Sequence, residues 1–472
     1  MQWSKILSTT KLLGTTIVGC TVLFTGSSIQ AETLQEAING MLQTNPEVRS
    51  VAYNRLGRDE EVRQAKSGYL PTLQFTAGTG IEDVQEPVND TLYPKQFTLS
   101  LRQNVFAGLS TMNEVDRQHA RVRSQAYRLQ GTSENLALKT SEVYLNVLRQ
   151  QELLRLAEEN LNTHLRIADQ IKMRSDSGVA SKADSDQVVG RVSLAQANVV
   201  VTKTNLVDAH SNYLSVVGHL PTDLQKPTAP NKFLLASLQE VEEAALKQHP
   251  TLKSATSDLE ARQNQYDVAK APFLPIIDLE VDQNWQEDLD TEGREDTLVA
   301  MVKLRYNLFN GFKDQARRAE TAHLINEARE IRNTTHRQVV ESVRLSWMAN
   351  EAVNERIKYL EQRVASTTET ADSYTKQFNL GKRTLLDVLD TEAEVIDAKQ
   401  ALVGASYDGM FAQYRILNGL GQLVKSFDLE WPKESQVDGN DKEKESEKKD
   451  STIKISSEIR TFDNHANFLS AT

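Results

Sequence analysis

Four short segments of the chain alternate apolar and polar residues with a period of two. They are residues 72–80, 96–106, 276–285 and 298–308. This period places successive side chains on opposite faces, so each segment is predicted to be a β-strand with one apolar and one polar face. The residues predicted to share the polar face are Thr72, Gln74, Arg102, Asp278, Glu280, Lys303 and Arg305.

Long segments with helical periodicity follow each pair of strands. Residues 109–177 and 312–380 contain no proline, and each is predicted to form a helix ~100 Å long at ~1.5 Å per residue. In the first, apolar residues recur every seven positions from Val147 to Ala168, which is the coiled-coil interval. Helices of about half that length are predicted at 33–68, 182–217, 237–271 and 384–419. Two of these stacked end to end would match one long helix.

The order of these elements occurs twice along the chain. Residues 32–220 and 237–421 both run helix, strand, strand, long helix, helix, and residues 221–236 link them. Asn104-Val105-Phe106-Ala107-Gly108 returns as Asn307-Leu308-Phe309-Asn310-Gly311. A duplicated unit of this length is too long for a solenoid repeat. It predicts two copies of one module related by pseudo-symmetry, which suits the wall of a pore better than an enzyme with one pocket.

The N-terminal residues 1–31 have the composition of a secretory signal peptide. Lys5 and Lys11 precede an apolar stretch at 12–24, and a small-residue segment ends at Ala31, where cleavage is expected. A lipobox-like alternative would lead to acylation of Cys20 instead. Both alternatives predict export. Cleavage at Ala31 would remove the two lysines and change the formal charge from −11 to −13, leaving no cysteine.

Composition excludes several classes of protein. The chain of 472 residues has a formal charge of −11, which argues against a nucleic-acid partner. No segment after the signal peptide approaches the ~20 apolar residues of a membrane-spanning helix, so a periplasmic protein and an outer-membrane β-barrel remain. No common catalytic motif is present, and the histidines lack ligand spacing, so no enzyme, cofactor or metal is expected. Within the C-terminal segment 422–472, the charged tail from Lys433 onward is predicted to be disordered.

Four strands are too few to close a barrel in lipid. An open edge leaves backbone groups unpaired at several kcal/mol each, and outer-membrane barrels start at about eight strands. Two chains would give a barrel filled by its own side chains, whereas three would give twelve strands around an open lumen. The charged faces require water inside, so the pattern favours a trimer. A half-buried strand in a water-soluble sheet alternates in the same way and is the alternative for any single strand.

Two motifs give the chain a resemblance to a known family. Gly381-Lys382-Arg383-Thr384-Leu385-Leu386-Asp387-Val388-Leu389-Asp390 resembles the G-x-R-T-x-x-D-V-L-D turn of the TolC-like outer membrane channels, and the Asn-x-Phe-x-Gly strand exits also match. The resemblance implies a mainly α fold with transmembrane β-strands. It implies a homotrimer whose twelve-stranded β-barrel in the outer membrane is continuous with a long periplasmic α-helical barrel. It also implies a non-catalytic channel that docks with an inner-membrane pump through a periplasmic adaptor.

Three further segments resemble the branch of this family that serves type I secretion. They are Arg155–Asn160, Asp184–Gln187 and Tyr213–Gly218. Members of that branch export large unfolded proteins, often adhesins. Efflux of drugs or other small molecules is the alternative within the family. A soluble periplasmic coiled-coil scaffold is a more distant alternative, which would explain the helices and the export signal but not the paired strands or the tip motif.

The resemblance places the Gly381–Asp390 motif at the periplasmic tip. Asp387 and Asp390 are three residues apart on one helical face near a helix N-terminus, where carboxylates are favoured. Three chains could bring these carboxylates into a ring that constricts the pore and favours cations. The alternative is that Asp387 caps the helix opened by Thr384 and that Asp390 is solvated.

Arg383 is expected to reach an acidic residue of the facing helix pair, with Asp184 as the best candidate. The family uses such polar links to hold the tip closed. Phe378 stands where the family often has a tyrosine, and it cannot donate a tyrosine's hydrogen bond.

The two turns at the tip are candidate contacts for the adaptor. Glycine in each turn permits a positive φ and a tight reversal between helices. The alternative is that the glycines serve the turn geometry alone and make no contact with an adaptor. The candidate residues are Gly178, Val179, Ala180, Gly381 and Lys382.

Overall fold

The fold is taken from a computed structural model of the chain. It describes residues 31–85, 90–178, 180–228, 235–289 and 293–437. The predicted signal peptide up to residue 30, with Cys20, lies outside these ranges, as do Val179 and the tail beyond residue 437.

The predicted duplication is confirmed, because two short helices, two long strands, a long helix and a further helix follow in the same order in both halves, with two additional short strands in the first. The first half contains α1 (Leu34–Thr44), α2 (Pro46–Ser67), β1 (Thr72–Thr79), β2 (Glu82–Val84), β3 (Asp90–Leu92), β4 (Lys95–Ala107), α3 (Ser110–Asp176) and α4 (Lys182–Val217). The second half contains α5 (Leu238–Gln248), α6 (Pro250–Val268), a 3-10 turn (Ala271–Phe273), β5 (Ile276–Glu287), β6 (Arg294–Arg305), α7 (Lys313–Asn379) and α8 (Leu385–Gly419). Both α3 and α7 have 67 residues, which is ~100 Å of helix.

The helices predicted for 33–68 and 237–271 are each broken in two. Proline lacks a backbone N–H and keeps the preceding residue out of the helical region. Asn45 before Pro46 has ψ 127°, and His249 before Pro250 has ψ 122°. Both residues then cap the following helix through their side chains. The breaks therefore turn one predicted helix into two in each half.

Two other boundaries differ from the sequence-based prediction. The strand predicted for 298–308 is β6, and it begins at Arg294 because it pairs residue by residue with β5 as far as Glu287. Within the predicted tail, Lys433–Ser435 forms a 3-10 turn in which Ser435 is buried. The ordered chain thus extends beyond the predicted start of the disordered tail.

The four long strands form one antiparallel sheet in the order β1-β4-β5-β6. Thr72 lies opposite Arg102, Arg102 opposite Glu280, and Asp278 opposite Lys303. Since side chains alternate between faces, this register places all seven predicted polar-face residues on the same face. The central pair β4–β5 joins the two halves, so one hairpin from each half contributes to a shared sheet.

The larger apolar core lies where α1 meets the middle of the long helices. Leu34, Ile38 and Met41 occupy one face of α1 and pack in the same cluster as the fully buried Tyr144 of α3. The Tyr144 hydroxyl oxygen lies 2.7 Å from the carbonyl oxygen of Glu32 and 2.6 Å from that of Gln225. The segment around Glu32 and the link between the halves are therefore fastened to α3.

The segment after α8 is fastened to the same helix by a buried carboxylate. Glu134 of α3 accepts hydrogen bonds from the backbone N–H groups of Leu423 (2.7 Å) and Val424 (3.3 Å) in α9 (Leu423–Ser426), and from Trp431 Nε1 (2.8 Å). Burial raises the pKa of Glu134 to about 7, against the opposing effect of its three donors. Glu134 thus holds the C-terminal segment on the helical core.

No helix among the described residues combines the length and the apolar character needed to cross a membrane.

Candidate functional site

The polar face of the sheet carries ion pairs between adjacent strands. Lys303 Nζ lies 2.5 Å from Glu280 on the adjacent strand, and Arg305 lies 2.7 Å from Asp278. The second oxygen of Asp278 accepts a hydrogen bond from Asn104 (2.7 Å). The pairs connect neighbouring strands, so they fix the register while keeping this face charged and wettable.

The opposite face of the sheet is apolar and open. Leu73, Phe75 and Leu298 are each more than 60% exposed, and Val302 and Leu304 extend the same surface. Phe75 and Phe97 stack with ring centroids 6.4 Å apart. A contiguous apolar surface of this kind requires cover by lipid or by another apolar surface.

The far end of the helices is built from two similar hairpins. Gly178 (φ 77°) connects α3 to α4, and Gly381 (φ 72°) connects α7 to α8, so the predicted positive φ is confirmed at both turns. Gly178, Gly381 and Lys382 are exposed, whereas Ala180 is half-buried against the apolar cluster between the hairpins. Val179 lies outside the described residues. Gly178, Gly381 and Lys382 are therefore accessible to a partner.

Asp184 and Asp387 occupy equivalent places in the two hairpins. Asp184 accepts a hydrogen bond from the Ser181 hydroxyl (2.8 Å), and Asp387 accepts one from the Thr384 hydroxyl (2.8 Å). Both pairs are capping boxes at the start of a helix. The hydrogen bonds from Thr384, followed by the charge of Arg383, lower the pKa of Asp387. The capping role considered from the sequence is therefore formed, and it keeps Asp387 ionised.

An apolar cluster joins the two hairpins. Its buried members are Ile171 of α3, Val188 of α4, and Leu385 and Leu389 of α8. Phe378 packs against its edge. The tip of each chain is therefore one packed unit rather than two separate hairpins.

Phe378 makes a contact that the sequence did not predict. The guanidinium of Arg174, near the end of α3, lies 4.5 Å from the Phe378 ring centroid and 3.4 Å from Asn379 Oδ1. A cation over an aromatic face is attracted by the ring quadrupole, so the ring needs no hydroxyl to take part in a polar link.

The predicted link between Arg383 and Asp184 is not formed within the described part of the chain. Arg383 lies over the Tyr374 ring (4.1 Å) and donates to Gln377 Oε1 (3.2 Å). The carboxylate of Asp184 is occupied by its own cap at Ser181. Local partners thus satisfy both residues within the described chain.

Asp390 makes an ion pair while its side chain remains partly exposed to solvent. Arg191 of α4 lies 2.7 Å from Asp390 Oδ1 on α8, and the two side chains are 31% and 55% exposed. This pair was not predictable from local pattern, because its members are 199 residues apart. In the ranges that the structure describes, no cluster of three or more histidine, cysteine or acidic residues is arranged as a metal site.

Comparison with known proteins gives consistent matches over both halves of the chain. The family described as outer membrane efflux protein matches at residues 37–219 and again at 241–422. The outer membrane efflux protein BepC of Brucella suis is 24% identical, with 90% of this chain and 93% of BepC covered. The outer membrane protein TolC of Escherichia coli K12 is 24% identical, with 86% of each chain covered.

Among more distant relatives, some are named for protein secretion and others for solvent efflux. The proteases secretion protein PrtF of Dickeya chrysanthemi is 21% identical over 84% of this chain and 90% of its own. The solvent efflux pump outer membrane protein SrpC of Pseudomonas putida is 22% identical over 82% of this chain and 85% of its own.

Solved structures of low sequence identity have the same fold. CusC superposes with a TM-score of 0.73 at 15% identity, covering 82% of this chain and 91% of CusC. The outer membrane protein VceC of Vibrio cholerae superposes with a TM-score of 0.72 at 17% identity, covering 82% of this chain and 96% of VceC.

Proposed function

Because this chain belongs to the outer membrane efflux protein family, we propose that it is the trimeric exit duct of a type I secretion system. The duct lies in the outer membrane and docks with a periplasmic adaptor and an inner-membrane exporter. Its cargo is a large protein such as an adhesin. The observation that carries the proposal is the sheet, which has one charged face, one exposed apolar face and only four strands.

The sheet supports assembly because each of its two edge strands has a paired neighbour on one side alone in the described part of the chain. β1 and β6 lie at the two edges, so each leaves a row of backbone groups without a neighbouring strand among the described residues. Such edges are not tolerated in lipid. Pairing β6 of one subunit with β1 of the next would close a twelve-stranded barrel around the ion-paired polar face.

The helices between the sheet and the tip also support assembly into a trimer. Toward the tip they lie in the order α4, α3, α8, α7, which leaves α4 and α7 at the two flanks. Exposed apolar residues follow heptad spacing on α4 at Val200, Val207 and Leu214. On α7 the exposed residues Leu345 and Tyr359 are two heptads apart.

The two apolar stripes match in height. Val200 and Tyr359 both lie about 30 Å from the tip, counted along their helices at ~1.5 Å per residue. Leu214 and Leu345 both lie about 50 Å from it on the same count. A side-by-side contact between α4 of one subunit and α7 of the next would therefore bury both stripes. We refer to this contact as the α4–α7 seam.

Replacement of Val207 by serine is expected to weaken the trimer. Loss of a buried valine side chain removes about 1–2 kcal/mol from each α4–α7 seam. The measurement is the temperature at which the detergent-purified trimer dissociates to monomer on a semi-native gel. Asn205→Ser, on another face of α4, is the matched control and should leave that temperature unchanged. Equal behaviour of the two variants would argue against the seam.

The adaptor contact is tested at Lys382, which is exposed in the turn between α7 and α8. A photoreactive residue at position 382 should crosslink in cells to the adaptor. The same residue at Tyr53, which is exposed on α2 far from the tip, should not. Crosslinking to the adaptor from both positions, or from neither, would contradict docking at the tip.

Efflux of small molecules is the second candidate function, because relatives named for secretion and relatives named for efflux both match the chain. Deletion of the gene separates the two. Loss of a large protein from the medium or cell surface, with unchanged susceptibility to solvents and dyes, is expected for secretion. Increased susceptibility without a change in exported proteins would identify an efflux duct.

A further inference from the structure

An ion pair between α4 and α8 lies at the tip. Arg191 Nη2 is 2.7 Å from Asp390 Oδ1. The pair borders the apolar cluster, since Val192 and Leu389 are next to its two members in sequence and Val188 lies one helical turn before Arg191. Both backbones are therefore held by packing, which reduces the entropy lost when the two side chains meet.

We propose that Arg191 is a positioning residue that sets the charge of the tip constriction and couples the two hairpins of each subunit, by pairing with Asp390. This inference rests on the proposed role as a duct. It assigns to Arg191 a function that the sequence motif around Gly381 does not contain.

The first consequence concerns charge. Three unpaired copies of Asp390 at the tip would form a ring of negative charge that favours cations. A guanidinium at 2.7 Å cancels most of the field of its partner carboxylate at longer range. The imidazole of His164 adds no charge beside Arg191, because burial and the charge of Arg191 lower the pKa of His164. The closed tip is therefore less cation-selective than its acidic motif suggests.

The second consequence concerns movement. Arg191 to Asp390, Arg174 to Phe378 and the apolar cluster all connect the α3–α4 hairpin to the α7–α8 hairpin of the same chain. Three contacts of different kinds must break before the hairpins separate. Opening then proceeds most easily at the α4–α7 seam between subunits, with both hairpins of a subunit moving together.

The test is a double-mutant cycle on the full-length trimer in planar bilayers. Arg191→Gln, Asp390→Asn and the double variant are compared with the wild type for the ratio of K⁺ to Cl⁻ permeability and for the fraction of time open. Arg155→Gln is the control, because Arg155 pairs with Glu159 on its own helix and not across the hairpins in the described part of the chain. The melting temperature of each trimer verifies that it is folded.

Release of Asp390 in Arg191→Gln should raise the permeability ratio and the open fraction by about two- to fivefold, the factor that an exposed ion pair supplies. Asp390→Asn should lower the ratio because Arg191 is left without its counter-charge. The double variant should return to the wild-type ratio, since two uncharged side chains replace an ion pair whose net charge is zero.

Either substitution breaks the pair, so the open fraction of the double variant should equal that of each single variant. Independent, multiplying effects on the open fraction, or an unchanged permeability ratio in Arg191→Gln, would overturn the role of Arg191 and leave the duct intact. A wild-type trimer without any conductance would instead overturn the duct itself, and the inference with it.

Discussion

Replacement of Gly108 by alanine is expected to destabilise the protein much more than the same replacement at Gly311. The two glycines hold equivalent places in the two halves, at the turn from a strand into a long helix, with φ 59° and 68°. A Cβ at Gly108 would lie 2.5 Å from the backbone oxygen of Ala271 and 3.0 Å from Leu274 Cβ. A Cβ at Gly311 would meet nothing within 4 Å.

Gly311→Ala is thus the matched control for Gly108→Ala. Both variants carry the strain of a left-handed residue, about 1–2 kcal/mol. Gly108→Ala adds a clash with backbone that cannot rotate away, worth about 1–3 kcal/mol. We expect Gly108→Ala to lose about 3 kcal/mol of unfolding free energy and Gly311→Ala about 1 kcal/mol.

The measurement is the thermal unfolding of each variant in detergent, followed by circular dichroism, together with the amount assembled in the outer membrane. Equal losses at the two positions would mean that the close approach between the β4–α3 turn and Ala271 is not a feature of the folded protein.

Replacement of Glu134 by alanine is the second large effect that we expect. The substitution leaves the N–H groups of Leu423, Val424 and Trp431 without their acceptor inside the core. Each buried unsatisfied donor costs about 1–3 kcal/mol, although relaxation of the segment limits the sum, so we expect a loss of about 3–5 kcal/mol.

Limited proteolysis is the sharpest measurement, because the segment from Leu423 to Trp431 should become the first site cut in Glu134→Ala. Glu142→Ala on the same helix is the control. Glu142 pairs with Lys139, and both side chains are about half exposed, so its loss should change stability by less than about 1 kcal/mol. Unchanged protection of the segment in Glu134→Ala would rule out Glu134 as its anchor.

The raised pKa of Glu134 adds a pH dependence with a definite sign. The folded protein holds this proton with a pKa of about 7, whereas the ordinary value is 4.5. The stabilising contribution is therefore complete below about pH 4.5 and is lost as the pH rises through 7. Glu134→Gln, which cannot titrate, should show a smaller fall in melting temperature between pH 5 and pH 8 than the wild type.

The strands and long helices were predictable because each depends on a local period. The alternation in 72–80 and the proline-free run in 109–177 needed no distant partner to be recognised. The breaks at Asn45 and His249 were missed although the prolines are visible, because the apolar period continues across them. Local chemistry also predicted the glycine turns and the cap at Asp387, whose partners lie within a few residues.

The links between distant elements were not predictable in this way. Arg191 and Asp390 are 199 residues apart, and Glu134 and Leu423 are 289 apart. No periodicity or spacing relates such residues. The Arg383–Asp184 link expected from the family motif illustrates the difficulty, since Tyr374 and Ser181 are nearer partners within the same chain.

The amino-acid sequence by itself determined the kinds of element, their duplication, the two faces of each strand and the resemblance to a channel family. These features depend on residue types that interact within a turn of helix or along one strand. Only the tertiary structure decided that Arg191 pairs with Asp390, that Arg174 lies over Phe378 and that Glu134 holds the C-terminal segment. Such pairs depend on where the packed helices bring remote side chains together, and a one-dimensional pattern does not contain that geometry.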